Sequence, residues 1–314
     1  MPSHPQVEAF RKKRVALNLA PNSQVSPEQA RENSRVWRAA IPADQESVGE
    51  ITDRTIPGPA GDLPIRIYRP TTQGPHPLVM LFHGGGWLIG DLDHEDPSSR
   101  RMCNQVDAVV VSVDYRLAPE TRFPGAPEDC YAATVWAVEH ADELGVDASN
   151  VAVTGTSAGG NLTAVVAQMA RDRGGPNIKH QVLFCPVIDY DFDRPSYQEH
   201  GDSFALTQDS MRYFWEQYLG PGVEANGHNP YASPIRAESL AGLPQTTIIT
   251  AEFDPLIDEA HDYAGALKSA GADVVYTRYD GMAHAFNELI GIFDAARVAV
   301  DEACTRIRTS FGSD

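Results

Sequence analysis

Gly155-Thr156-Ser157-Ala158-Gly159 is the stretch on which the fold turns. A serine held in a tight strand-to-helix turn leaves no room for side chains two positions away on either side, and glycine at both second neighbours removes that clash. Alone the motif carries little weight, because G-x-S-x-G arises by accident in roughly one of ten chains of this length. Its flanks carry more. Residues 150–154, Asn-Val-Ala-Val-Thr, predict a short apolar strand entering the turn. Leu162, Val165, Val166 and Met169 fall at i, i+3, i+4 and i+7 of a helix leaving it, which Arg171, Arg173, Gly174 and Gly175 close.

Outward from that turn, strands and helices alternate. Ile65-Arg66-Ile67-Tyr68 alternates like a half-exposed strand, and Leu78-Val79-Met80-Leu81-Phe82 is a continuous apolar strand of the buried kind. Residues 108–113 predict a strand, 126–144 a helix and 181–187 a strand. Further on, 246–251 reads as strand, 261–270 as helix, 274–279 as strand and 292–307 as a closing helix. Such a series predicts an α/β fold whose sheet begins antiparallel and becomes parallel.

Two segments stand apart. Residues 1–45 read as helical, with Ser26 as N-cap, Pro27 at the first helical position and Gln29 placed for a capping box; Val36, Trp37 and Ala40 give an apolar stripe. Residues 189–227 interrupt the alternation with a polar and aromatic stretch. The expected organisation is therefore an N-terminal helical segment 1–45, a core 46–188, an insertion 189–227 and a second core part 228–314.

Composition narrows the function. The 43 acidic against 25 basic residues give a formal charge of −18 with no long basic stretch, so a nucleic-acid partner would be repelled. Cys103, Cys130, Cys185 and Cys304 form no CxxC pair and read as reduced, buried thiols. The apolar run after Arg14 stops at Pro21, too short for a signal-peptide core, and no window approaches a membrane span. A cytoplasmic protein with no membrane partner is expected.

A serine hydroxyl needs a base to take its proton and a carboxylate to orient that base. Asp254 follows strand 246–251, with Pro255 to stop the strand, and His284 follows strand 274–279. Both are placed where open α/β sheets put their sites, at strand ends. Glu252 and Asp258 compete with Asp254 for the orienting role. An oxyanion hole needs unobstructed backbone N–H groups, which His83-Gly84-Gly85-Gly86-Trp87 provides directly after the apolar strand; the Ala158 N–H adds another.

Together with Asp114-Tyr115-Arg116-Leu117-Ala118-Pro119-Glu120, Asp254-Pro255-Leu256 and Gly281-Met282-Ala283-His284-Ala285-Phe286, these motifs stand in family order, and the chain resembles the hormone-sensitive-lipase-like, bacterial family IV carboxylesterases across nearly its whole length. The resemblance implies an α/β-hydrolase fold with a mostly parallel eight-stranded sheet flanked by helices and a helical cap. It implies Ser157 as nucleophile, His284 as acid/base, Asp254 as its partner, Gly85, Gly86 and Ala158 as oxyanion donors, and His83 as a brace of the glycine loop. Two departures stand out: many members carry Asp where Thr156 stands, which places this chain near a GTSAG subgroup, and Gly is commoner than Ala285 after the histidine. Members often dimerise through a sheet edge, so a homodimer is an implied option.

The activity expected is hydrolysis of a small-molecule carboxylic ester, with short to medium acyl chains, needing neither metal nor cofactor. Lactones, thioesters, carbamates or amides could use the same machinery. A hormone-binding branch of the family lacks the base, which is present here as His284. A histidine base with an ordinary pKa of about 6.5 must be neutral to act, so activity should fall on the acid side of neutrality. Trp37, Trp87, Phe204, Phe214 and Trp215 are the aromatic candidates for lining a substrate pocket. Asp91, Asp93, His94, Glu95 and Asp96 have no spacing that turns metal ligands inward and read as a solvated loop.

Overall fold

The computed structural model describes residues 3–41 and 45–312, so the outermost termini of the expected first and last segments lie outside the described residues. The elements run α1 (Pro5–Ala16), α2 (Pro27–Ala39), β1 (Glu50–Gly58), β2 (Gly61–Arg69), β3 (His76–Phe82), α3 (Asp96–Val106), β4 (Val109–Val113), α4 (Gly125–Glu139), α5 (Ala141–Leu144), β5 (Val146–Thr156), α6 (Ala158–Arg173) and β6 (Ile178–Phe184). They continue with α7 (Pro195–His200), α8 (Gln208–Leu219), α9 (Val223–Gly227), β7 (Gln245–Phe253), α10 (Ile257–Ser269), β8 (Val274–Ala283) and α11 (Asp294–Phe311).

The strands form one eight-stranded sheet in the order β1-β2-β4-β3-β5-β6-β7-β8. β2 is antiparallel to β1 and β4, and every pair from β4-β3 to β7-β8 is parallel. Parallel strands end on one edge, so the turns after β3, β5, β7 and β8 gather there.

β3 explains why its sequence is apolar throughout. Leu78, Met80 and Phe82 pack with α4, α6 and α10 on one face, while Val79 and Leu81 pack with α3 and α11 on the other. α6 lies deep in the first layer: every residue from Ala158 to Ala170 is buried, beyond the single stripe its periodicity predicted, and Gly174 in the left-handed region ends it. In α2, Ser26 Oγ accepts from Gln29 N at 3.3 Å, but the Gln29 side chain reaches forward to Asn33, so only half of the expected capping box forms.

Four differences from the sequence reading have physical reasons. The helix expected over 126–144 breaks at His140, which leaves the helical region at φ −107° and ψ 27° while its ring bonds Trp136 O at 2.8 Å, and α5 follows. The strand expected over 181–187 begins and ends three residues earlier, because Cys185 adopts φ 41° and turns the chain away. Tyr68 is fully buried, with its hydroxyl donating to Asp96 at 2.9 Å. Finally, the acidic run is solvated only at its start: Asp93 is exposed, but His94, Glu95 and Asp96 are buried, and Asp96 opens α3. That helix was hidden by its polar sequence, which is spent on ion pairs such as Arg101 with Asp301 at 2.6 Å.

Candidate active site

Ser157 lies between β5 and α6 with φ 57° and ψ −116°, a strained conformation for a residue with a side chain. It is held there by its N–H donating to Phe184 O at 2.8 Å and its carbonyl accepting from Asn161 N at 2.9 Å. The need for flanking glycines is visible in the packing: a Cβ at Gly159 would lie 1.9 Å from Phe82 O, and one at Gly155 would lie 2.4 Å from Gly159 O.

β7 ends at Phe253 and delivers Asp254, while β8 ends at Ala283 and delivers His284. His284 Nδ1 lies 2.8 Å from Asp254 Oδ2, and His284 Nε2 lies 2.9 Å from Ser157 Oγ. A carboxylate only accepts, so Nδ1 carries the ring proton and Nε2 is free to accept from the serine hydroxyl. Asp254 is fully buried, and its Oδ1 accepts from Leu256 N at 3.0 Å, which fixes the carboxylate plane. The competing carboxylates are engaged elsewhere: Glu252 accepts from Gly281 N at 2.7 Å and Asp258 from Ser196 N at 2.8 Å. Ala285 adopts φ 58°, the left-handed region that favours glycine, which gives a backbone reason for the family preference at that position.

The glycine loop follows β3. His83 is fully buried and pushed by desolvation to about 3, so it is neutral; its Nδ1–H donates to Gly84 O at 2.8 Å. Its ring stacks on Tyr115 at 4.2 Å, and the Tyr115 hydroxyl donates to His83 O at 2.8 Å. Gly85 takes φ 113° and Gly86 φ 59°, and a Cβ on Gly86 would strike the Phe214 ring at 2.4 Å. Ala158 is the first residue of α6, so its N–H belongs to the set that has no partner within the helix.

Ser157, His284, Gly85 and Gly86 open into a cavity of about 1250 Å³. Of the aromatic candidates, Trp37, Phe204 and Phe214 line it. Trp87 and Trp215 do not. Both are fully buried: Trp215 on the inner face of α8, and Trp87 against that helix, where it stacks on Tyr218 at 4.2 Å and lies 4.7 Å from Trp215. They form the core that seats the lining rather than the lining itself.

Sequence reasoning missed four contributors. Phe10 and Arg14 of α1 join the wall, signalled by nothing stronger than the helical character of the N-terminal segment. Glu288, four residues after the histidine, also lines the cavity, bonded to His94 at 3.0 Å. Cys185 Sγ clusters with the Asp254 and His284 ligating atoms within 4.8 Å of one another. The four cysteines are free and buried, and burial pushes Cys103 and Cys304 up to about 12.

Residues 79–288 match the sequence profile of the α/β hydrolase fold family. The chain belongs to that family. It is 43% identical over 284 residues to the carboxylic ester hydrolase LipN of Mycobacterium tuberculosis, covering 89% of this chain and 75% of that protein. An arylesterase of Saccharolobus solfataricus is 37% identical, covering 91% and 92%. Among solved structures, a thermostable esterase from Pseudomonas putida superposes on this α/β hydrolase with a TM-score of 0.93 at 36% identity, covering 98% of each chain. No helix among the described residues of this hydrolase is long and apolar enough to cross a membrane.

Proposed function

We propose that this α/β hydrolase is a carboxylesterase that cleaves esters of short to medium acyl chains through an acyl-enzyme on Ser157. The observation that carries the reading is the continuous hydrogen-bonded line from Asp254 through His284 to Ser157, at the floor of a cavity that the glycine loop also faces. Relatives named as ester hydrolases across most of the chain support it.

In the reaction, His284 Nε2 takes the hydroxyl proton as Ser157 Oγ attacks the ester carbonyl. Negative charge develops on the carbonyl oxygen, which the N–H groups of Gly85, Gly86 and Ala158 would bind; fixed donors of this kind are worth about 10²- to 10³-fold each. The C–O bond then breaks and the alkoxide takes the proton from His284. Water repeats the sequence on the acyl-enzyme, with His284 accepting its proton, and releases the acid. Asp254 keeps the imidazole in the required tautomer throughout.

Residues 1–45 and 189–227 act in this account as a cap that sets chain-length preference, since α1, α2 and α8 supply Phe10, Trp37 and Phe214 to the wall. Small esters are the partners, and the unpaired buried thiols suit a reducing compartment such as the cytoplasm. β1 and β8 are the outer strands, the sheet edges open to a homodimer, and sedimentation velocity reads that mass directly. Hydrolysis of p-nitrophenyl esters of increasing chain length tests the substrate class; a turnover that Ser157→Ala leaves intact would refute the nucleophile.

A further inference from the structure

Arg38, His94 and Glu288 form a polar cluster, with His94 buried and its two partners partly buried, that the reaction steps do not use. It joins α2, the loop before α3 and the turn after His284, elements far apart in sequence. Arg38 Nε lies 3.1 Å from His94 Nδ1, and His94 Nε2 lies 3.0 Å from Glu288 Oε2. A guanidinium offers only donors, so His94 Nδ1 must accept; the ring is then the neutral tautomer whose Nε2–H donates to Glu288. Burial first, and the Arg38 cation next, lower His94 to about 3, which agrees with that state. Arg38 Nη2 also stands 3.7 Å from the Glu288 carboxylate.

The other Glu288 oxygen faces the glycine loop, since a Cβ at Gly84 would meet Oε1 at 2.9 Å. Burial raises the Glu288 carboxyl, while Arg38 and His284 act to lower it. Glu95 and Asp91 face the cluster from the His94 loop, and the His83 ring lies 6.0 Å from that of His94. A carboxylate in this place opposes the negative charge that forms on the substrate, and Arg38 is the cation that offsets it.

We propose that Arg38 is a positioning residue: by fixing the neutral tautomer of His94 it holds Glu288, and through Glu288 it holds the His284 loop and the glycine loop in working register. This rests on the ester-hydrolase reading above. Without the guanidinium, Nδ1 loses its donor and only burial is left to keep the ring unprotonated, so His94 takes up a proton more readily as pH falls.

The test is kcat and KM for p-nitrophenyl butyrate from pH 5 to 9 in wild type, Arg38→Met, Arg38→Lys and Arg31→Met. Arg31 docks the same helix through Glu120, Ala118 O and Leu88 O without touching His94, so it controls for loosening of α2. Arg38→Met is expected to lose about tenfold in kcat with KM little changed, less than the roughly 10²-fold that a 1 Å misplacement of reacting groups can cost, and to gain a second acid-side inflection. Arg38→Lys should recover a single inflection, as should Arg31→Met. Where Arg38→Met does not fold, Arg38→Gln, a donor without charge, should show the second inflection instead. The proposal is overturned by an unchanged kcat and profile, by a change in KM alone, or by Arg31→Met reproducing the Arg38→Met profile. Failure of the esterase reading would appear separately, as a wild type without ester turnover.

Discussion

Asn287 Nδ2 donates to Thr156 Oγ1 at 2.8 Å, and both side chains are fully buried. The bond ties the loop three residues beyond His284 to the residue before Ser157, so His284 and Ser157 are fixed to one another by neighbours as well as by their own contact. Thr156 is the position at which the chain departs from the Asp common in the resembling family, and Asn287 is a neutral donor that a neutral hydroxyl satisfies. Thr156→Val would leave a buried amide without its acceptor. The expected loss is about 1–3 kcal/mol of stability, read by urea unfolding, with kcat lowered as well; Thr156→Ser should restore both.

Gly86 offers the second prediction. An alanine there would have to adopt φ 59° and displace the Phe214 ring 2.4 Å from its Cβ. Gly86→Ala should therefore lose about 10²- to 10³-fold in kcat, the scale of a lost oxyanion donor. Adding Phe214→Ala relieves the collision but not the backbone strain, so the double variant should recover only part of the rate. Full recovery would mean that φ does not matter at this position.

Adjacent residues on α8 should behave differently. Phe214 lines the cavity, so Phe214→Ala should shift the preferred acyl chain to longer esters. Trp215 is fully buried away from it, so Trp215→Ala should cost about 3–5 kcal/mol as a core cavity with chain-length preference retained. Chain-length profiles and thermal midpoints measured together separate the two effects; a Trp215→Ala protein with altered preference and unchanged midpoint would contradict the assignment.

Glu95 links stability to pH. Burial, then Glu288, push its carboxyl from the ordinary 4.5 up to about 7. A carboxyl whose folded pKa is raised favours the folded state most below its unfolded value, and that advantage is lost as pH rises through the folded value. Glu95→Gln removes the titration. The variant should gain stability relative to wild type between about pH 4.5 and 7 and keep that gain above, by an amount on the order of 3 kcal/mol. Midpoints at pH 5 and pH 8.5 decide it; equal differences at both would refute the buried, protonated state.

The local parts of this fold were legible because their signals are local. A glycine-flanked serine between an apolar strand and a helix, and a histidine and aspartate after later strands, depend on residues within a turn of one another. What escaped depends on partners remote in the chain. His94 meets Arg38 across 56 positions and Glu288 across 194, and only those contacts turn a polar run inward. Likewise, composition marked Phe214 and Trp215 alike as aromatic, but the packing of Trp215 and Tyr218 of α8 against Trp87 decides which of them faces the cavity.

The central claim is that Ser157, activated by His284, forms the acyl-enzyme. Its most direct test is hydrolysis of p-nitrophenyl acetate, butyrate, octanoate and palmitate by wild type and Ser157→Ala side by side, with a chelator present. The account predicts turnover of the shorter esters that the chelator does not reduce and that falls to background in the variant. Ester turnover retained by folded Ser157→Ala, or absent from folded wild type, would contradict it.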